Sequence, residues 1–250
     1  MIRVILNGCQ GAMGRVITEL VKKDDELEIV AGVDRDTKTA CGYPVYETLT
    51  ECPQADVLID FSVAAATDGV LSYCEETKMP AVLCTTGLSE TQISRINELS
   101  KTCAILRSAN MSVGINLLFK VLREAAPALA AAGFDIEILE KHHNRKLDAP
   151  SGTALALADV VNESLESAYH YTYDRTGRRA KRDKKEIGIQ AIRGGSIVGE
   201  HDIIFAGEDE IVTFSHTASS RAIFGNGAVQ GAKFLYGKAP GLYDMGDVIG

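Results

Sequence analysis

The sequence has no long apolar run, no paired-cysteine motif and no excess of positive charge, and each absence removes a class of protein. The longest alanine-rich run, Ala125–Ala132, is far shorter than the roughly 20 apolar residues that span a bilayer. The opening segment, Met1–Gly8, lacks the apolar stretch and cleavage site of a secretory leader. It reads as a strand that begins the fold at once, and the expected compartment is the cytoplasm. Six cysteines stand at positions 9, 41, 52, 74, 84 and 103, and no two form a Cys-x-x-Cys pair, so a zinc ribbon or redox motif is not supported. They read as reduced thiols of a reducing compartment. Lysine and arginine number 26 against 34 aspartates and glutamates, a net charge of −8. Nonspecific nucleic-acid binding needs a basic footprint and is not expected. No membrane association, repeat or low-complexity tract is expected either.

What is there is the composition and patterning of a folded enzyme. The 250 residues suffice for two domains. Residues 2–7 are apolar and β-branched, and Met13, Val16, Ile17, Leu20 and Val21 then fall on a helical stripe. Short apolar runs at 27–33, 56–60, 81–84 and 104–106 alternate with helix-like stretches that begin near Ala64 and Ser89. That alternation predicts a Rossmann-type, doubly wound parallel sheet. After about residue 110 the pattern changes. Helices are expected over 112–131 and 151–167, with a strand at 135–140. Runs at 187–193, 197–206 and 211–217, punctuated by Gly194-Gly195 and Gly207, read as an antiparallel meander. A last helix is expected over 226–236. The fold class is therefore α/β, with a second α+β domain containing a mixed sheet. The expected division is residues 1–110, completed by 222–250, for a dinucleotide, and 111–221 for substrate binding and oligomerisation.

Gly8-Cys9-Gln10-Gly11-Ala12-Met13-Gly14 closes the first strand and opens the first helix. Glycine permits the tight turn, and a missing side chain lets backbone approach a pyrophosphate. The helix start then offers unpaired N–H groups to that anion. The second strand ends at Asp34, where a carboxylate can accept from both ribose hydroxyls of an adenosine. Asp34 favours NADH, because it repels a 2′-phosphate. Arg35 follows and could stack on adenine or pair with that phosphate, so NADPH stays open as well.

The densest chemistry runs from Glu140 to Thr153 (Glu-Lys-His-His-Asn-Arg-Lys-Leu-Asp-Ala-Pro-Ser-Gly-Thr). His142 and His143 are adjacent and point opposite ways on extended backbone, so one can face a site while the other packs elsewhere. Histidine gives or takes a proton near neutral pH. Arg145 and Lys146 add positive charge. Ser151, Gly152 and Thr153 begin a helix whose N–H groups and hydroxyls could hold a carboxylate. Adjacent histidines without nearby cysteine are poor metal spacing, and no metal is expected. A second basic cluster, Arg175, Arg178, Arg179, Lys181, Arg182, Lys184 and Lys185, reads either as a solvated loop or as a rim that draws in an anionic substrate.

The pattern His-His-x-x-Lys-x-Asp-Ala-Pro-Ser-Gly-Thr-Ala within Glu140–Leu157 closely resembles the signature of the 4-hydroxy-tetrahydrodipicolinate reductase (dihydrodipicolinate reductase) family. Further matches run along the chain: Gly8–Gly14, Asp60–Ser62, Thr85–Gly87, Asn110–Asn116, Arg193–His201 and Ala218–Ala228. The resemblance implies hydride transfer from a nicotinamide to a cyclic unsaturated dicarboxylate, with overall loss of water, in lysine and diaminopimelate synthesis. It implies that His142 and Lys146 donate the proton, and that His143, Ser151, Gly152 and Thr153 bind substrate carboxylate. On the cofactor side it implies Gln10, Ala12, Met13, Asp34 and Arg35 at the adenosine end. Phe61, Ser62, Thr85 and Gly87 would lie near the nicotinamide ribose and ring, Ala109, Asn110 and Met111 near the carboxamide, and Arg221 and Phe224 where the chain returns to the cofactor domain. It also implies a homotetramer built through the sheets of the substrate domains. Cys84 replaces a glycine common in the family, and Met111 an aromatic. Two rivals share the glycine turn: a different Rossmann reductase, and a nucleotide-sensing binding protein. Neither has a reason to carry His142-His143 beside Ser151-Gly-Thr153.

Overall fold

The computed structural model describes every residue of the chain except Thr39 and Ala109. The chain forms two compact units, Met1–Val113 with Arg221–Gly250, and Gly114–Ser220. No helix among the described residues is long and apolar enough to cross a membrane.

The first unit begins with β1 (Ile2–Asn7), α1 (Ala12–Val21), β2 (Leu27–Val33) and β3 (Val45–Tyr46). It continues through β4 (Val57–Asp60), α2 (Thr67–Thr77), β5 (Ala81–Leu83), α3 (Glu90–Leu99) and β6 (Ala104–Arg107). β1 alternates its side chains between two cores. Val4 and Leu6 join Ile17 of α1 on one face, while Ile5 joins Leu71 of α2 and Ile96 of α3 on the other. A strand buried on both faces reads as the continuous apolar run seen in the sequence.

The second unit holds α4 (Val113–Ala131, starting at the boundary), β7 (Asp135–His142), α5 (Gly152–Ser164), β8 (His170–Thr172), β9 (Glu186–Arg193), β10 (Gly199–Ala206) and β11 (Ile211–Ala218). Its sheet runs β11-β10-β7-β9-β8. β7 is antiparallel to β10 but parallel to β9, so the sheet is mixed. Leu122 of α4 and Leu157 and Val161 of α5 pack on Ile136, Ile138, Ile189 and Ile203 of one sheet face.

The expected meander is corrected here: β9 and β10 are not neighbours, because β7 lies between them. The Gly194-Gly195 turn does not close a tight hairpin. It steps across the end of β7, where the Gly194 amide donates to the His142 carbonyl at 2.9 Å and the Asn144 amide to the Gly195 carbonyl at 3.2 Å. The central position buries Ile136 and Ile138 completely, which an edge position would not do. Only β10 and β11 keep the hairpin pairing.

Three of the seven cations in the basic segment strap it to the sheet, while Arg179, Lys181, Lys184 and Lys185 are exposed. The Arg175 guanidinium donates to Glu186 and to Glu137, and Arg178 to Glu186 at 2.9 Å. Arg182 bonds Glu137 at 3.0 Å, Asp135 at 3.1 Å and the Ile136 carbonyl at 2.8 Å. Glu186 is fully buried. Burial alone would raise its carboxyl, but the Arg178 and Arg175 guanidiniums hold it down at about 2.

The chain then returns to the first unit through α6 (Ala222–Leu235), β12 (Gly241–Tyr243) and α7 (Met245–Ile249). The glycine- and proline-rich tail thus adds a strand that sequence periodicity did not reveal. The completed sheet runs β12-β6-β5-β4-β1-β2-β3, and every neighbouring pair is parallel. The strand order reverses between β1 and β4. In open α/β sheets ligands bind at the carboxyl ends of the strands flanking such a reversal. Here those ends are Asn7 and Asp60.

Arg182→Ala is expected to lower the free energy of unfolding by about 1–2 kcal/mol, the cost of depriving partly buried acceptors of their donor. A urea melt with an unchanged midpoint would show that the strap does not stabilise the sheet.

Candidate active site

In the first unit, Gly8 follows β1 at φ +79°, and a Cβ there would sit 2.6 Å from the Phe61 carbonyl oxygen. A Cβ at Gly14 would collide with the Gly8 carbonyl. The turn therefore closes only with glycine at both places. Gly11 caps α1 without a side-chain hydrogen bond, and no acid stands in the first turn. Ala12, Met13 and Gly14 thus present backbone N–H groups with no intrahelical partner, in a positive helix-end field.

Beside the turn lies a cavity of about 280 Å³ whose lining includes Gly8, Gly11, Asp34, Arg35, Phe61 and Ser62. The Asp34 carboxylate accepts the Gln10 amide at 3.0 Å, which fixes the acid against the turn. Asp60 is fully buried and gathers the strand ends around itself. It accepts from the Asn7 amide nitrogen at 2.8 Å, the Ser62 hydroxyl at 2.6 Å and the Thr85 hydroxyl at 2.7 Å. Thr85 joins the group through this carboxylate, and Gly87 follows at φ +73°. Asn110 accepts the Ser112 amide at 2.8 Å. Met111 is buried in the core under α6, against Gly227. Arg221 is exposed at the start of α6, and Phe224 packs on the core. These four are not among the residues lining the cavity. Ala109 lies outside the described residues.

An uncapped helix start, two obligatory glycines and a carboxylate at the end of β2 fit a dinucleotide: pyrophosphate on the amides of Ala12–Gly14, ribose on Asp34.

In the second unit, β7 delivers Glu140 and His142 to one side of the strand. Glu140 is fully buried, and His142 Nδ1 lies 2.6 Å from its carboxylate. Arg193, at the end of β9, grips the same carboxylate with two bonds of 2.7 and 2.6 Å. The Ser151 amide adds a fourth at 3.0 Å. Burial works to raise the Glu140 carboxyl, but these donors together hold it below the usual range. The His201 ring of β10 meets that of His142 edge-on, with centroids 5.2 Å apart. His201 Nε2 is 3.1 Å from the Ser151 hydroxyl. Burial, with His142 beside it, pushes the His201 imidazole down to about 4.

Ser151 is buried, and its hydroxyl also caps α5 through the Ala154 amide. Gly152, by contrast, is exposed and Thr153 half-buried. Lys146 Nζ lies 2.9 Å from the Asp148 carboxylate, and His143 is half-buried in the turn after β7, where its carbonyl accepts the Lys146 amide. The structure thus brings His142, Ser151 and the start of α5 together around Glu140. Among the described residues no cluster of histidine, cysteine and acids suits a metal ion. Sequence reasoning missed Glu140, Arg193, His201 and Asp60 as organisers. The i, i+2 spacing of Glu140 and His142 on a strand was the one available signal.

Residues 2–111 match the N-terminal part of dihydrodipicolinate reductase, and residues 114–249 its C-terminal part. The chain belongs to the dihydrodipicolinate reductase family. A 4-hydroxy-tetrahydrodipicolinate reductase of Caldanaerobacter subterraneus subsp. tengcongensis is 51% identical over 250 residues, covering 100% of this chain and 98% of that protein. One from Clostridium novyi is 48% identical with the same coverage. A dipicolinate-bound dihydrodipicolinate reductase from Paenisporosarcina sp. TG-14 superposes with a TM-score of 0.81 at 26% identity, over 98% of this chain and 97% of that one. A protein from Thermotoga maritima described as a probable dehydrogenase, 12% identical with a TM-score of 0.60, shares the fold. Like other members of the dihydrodipicolinate reductase family, the chain is an oxidoreductase.

The buried His201 gives the second unit an acid sensitivity. Unfolded histidine takes a proton below about 6.5, whereas His201 in the fold resists until about 4. The unfolded state therefore binds more protons between these values, and stability falls as pH drops through that window. Tm should decline from pH 7 to pH 5, and His201→Gln should flatten the decline. Equal slopes in the two proteins would clear His201 of this role.

Proposed function

We propose that the chain reduces 4-hydroxy-tetrahydrodipicolinate to tetrahydrodipicolinate, with overall loss of water, in lysine and diaminopimelate biosynthesis. The observation that carries this reading is the His142 ring backed at Nδ1 by the buried Glu140, at the foot of a helix start that can bind carboxylate. Full-length similarity to curated 4-hydroxy-tetrahydrodipicolinate reductases supports the choice of substrate.

A dihydronicotinamide held by the residues of the first unit would supply the hydride. Loss of the 4-hydroxyl as water leaves a conjugated ring imine; hydride addition to a carbon of that ring passes negative charge to the ring nitrogen, which must take a proton. His142 gives that proton from Nε2, and Lys146 assists and binds. His143, Gly152 and Thr153 hold a substrate carboxylate with charge, backbone N–H and hydroxyl. Ser151 contributes from behind, as the cap that orients those amides. At the cofactor, the Gly8–Gly14 turn binds pyrophosphate and Asp34 the adenosine ribose. Phe61, Ser62, Thr85 and Gly87 shape the approach to the nicotinamide, with Asn110 and Met111 beyond them and Arg221 and Phe224 at the chain's return. NADH is accepted at least as well as NADPH, because Asp34 and Glu47 line the cavity together and outnumber Arg35.

The active form is a homotetramer joined through the sheets of the second unit. The helices cover one face of that sheet. By strand register the other face carries Leu139, Ile204, Ile211 and Thr213. All six cysteines are free thiols, which fits the reducing cytoplasm.

A coupled assay supplying the condensation product of aspartate semialdehyde and pyruvate should consume NADH; no loss of absorbance would sink the reading. His142→Gln should lower kcat by roughly 10²-fold, the usual scale of acid catalysis, and near-normal turnover would remove His142 from its role. Gly14→Ala should weaken NADH binding by at least about tenfold, or roughly 1.4 kcal/mol, by forcing the turn open. Unchanged affinity in a titration would refute the pyrophosphate assignment.

A further inference from the structure

We propose that Glu140, gripped by Arg193, is a positioning residue for the reduction: it holds His142 in the tautomer that leaves Nε2 to carry the reacting proton. The proposal rests on the reading of His142 as proton donor. It adds a device that the motif residues alone do not contain.

An ionised carboxylate only accepts hydrogen bonds. With Glu140 Oε2 at 2.6 Å from Nδ1, the hydrogen between them belongs to Nδ1. A neutral imidazole held this way has its lone pair on Nε2, and the imidazolium has its transferable proton there. The carboxylate has no freedom to turn away. Oε2 also receives Arg193 Nη1 at 2.7 Å, while Oε1 receives Arg193 Nη2 at 2.6 Å and the Ser151 amide at 3.0 Å. Glu140 is wholly buried and the Arg193 side chain 19% exposed, so little water competes for these bonds.

The ring itself is confined from two further sides. His201 meets it edge-on. Gly199 lies against Nε2, where a Cβ would stand 3.1 Å away. The charged and titratable groups around the pair are therefore Arg193 on β9, His201 and His216 on β10 and β11, and Lys146 with Asp148 on the loop. Burial keeps His201 neutral to about 4, so it does not add a second positive charge beside an imidazolium. One carboxylate thus serves three elements: it orients the donor on β7, anchors the end of β9 and ties down the helix start that binds substrate. A second layer of this kind, which fixes tautomer and ring plane, is a recurring way to tune an imidazole.

The test uses the full-length protein labelled with ¹⁵N-histidine, with His142 assigned by its loss in His142→Gln. Long-range ¹H–¹⁵N spectra should show the neutral wild-type ring protonated at Nδ1, and Glu140→Gln should move the proton wholly or partly to Nε2. In the coupled assay Glu140→Gln should lower kcat at least about tenfold, a share of the acid-catalysis term. KM for NADH should change by no more than about twofold, and KM for substrate by less than kcat, since the glutamine carbonyl can still accept the Ser151 amide. Arg193→Lys, which keeps the charge and loses the fork, should keep the Nδ1 proton and lose less in kcat. A wild-type ring protonated at Nε2 overturns the proposal by itself, whatever the variants do. So does a Glu140→Gln defect that appears only in KM. If the spectra behave as expected and the wild type does not reduce the dicarboxylate, the reductase reading fails while the hold of Glu140 on His142 stands.

Discussion

A carboxylate taken out of water must be met by donors, and in each unit the loops of the proposed site are folded around one such group. Asp60 ends β4 with no exposure and draws in Asn7, Ser62 and Thr85 from three strand ends. Glu140, equally buried near the end of β7, draws in His142, Arg193 and Ser151. Loop residues that would otherwise sample many conformations are held because letting go would strand a buried charge. The chemistry of the two centres differs. The donors to Asp60 are neutral, which suits a scaffold beside a cofactor. Those to Glu140 include a guanidinium and an imidazole, which suits a place where a proton must be held and released.

The same contrast explains what was legible in the sequence. The β1–α1–β2 unit could be read because its signals are local: a β-branched run, three glycines at fixed spacing, an apolar stripe and an acid at a strand end. The burial of Val4, Leu6 and Ile17 follows from those signals. Asp60 and Glu140 were not legible as organisers. Their decisive partners, Asn7 and Arg193, are each 53 residues away along the chain, and no local pattern marks such a pairing. His201 was hidden for the same reason, since its partner Ser151 is 50 residues distant. The resemblance to the reductase family named Arg193–His201 as a matching stretch but gave it no task. Geometry gives it one.

The strand order of the second unit is the other feature that periodicity could not supply. Three runs separated by glycines look like a meander, because adjacency in sequence is the default for antiparallel strands. Here the strand that carries His142 takes the centre of the sheet. That choice brings β9 to one side of Glu140 and β10 to the other, so that Arg193 and His201 converge from opposite neighbours. In a meander, β9 and β10 would have paired with each other, and the carboxylate would have lost one of its two flanking strands. The arginine strap at Arg175, Arg178 and Arg182 belongs to this arrangement, because it binds the Glu137 and Glu186 side chains that β7 and β9 place next to each other.

The motif that carries the family resemblance therefore has two kinds of residue in it. In Ser151-Gly152-Thr153 the serine is spent on the fold: its amide goes to Glu140 and its hydroxyl to the Ala154 amide and His201. Of the two residues that follow, Gly152 is exposed and Thr153 half-buried. A substitution at Ser151 and one at Thr153 would both impair the proposed carboxylate site, but through different physics. The first would loosen the helix start and release Glu140, so it would reach the His142 ring as well. The second would remove only the proposed direct contact and leave the ring as it was. On the proposed reading, a stretch of sequence is specific to a reaction because part of it touches the substrate and the rest keeps a buried charge satisfied next to it.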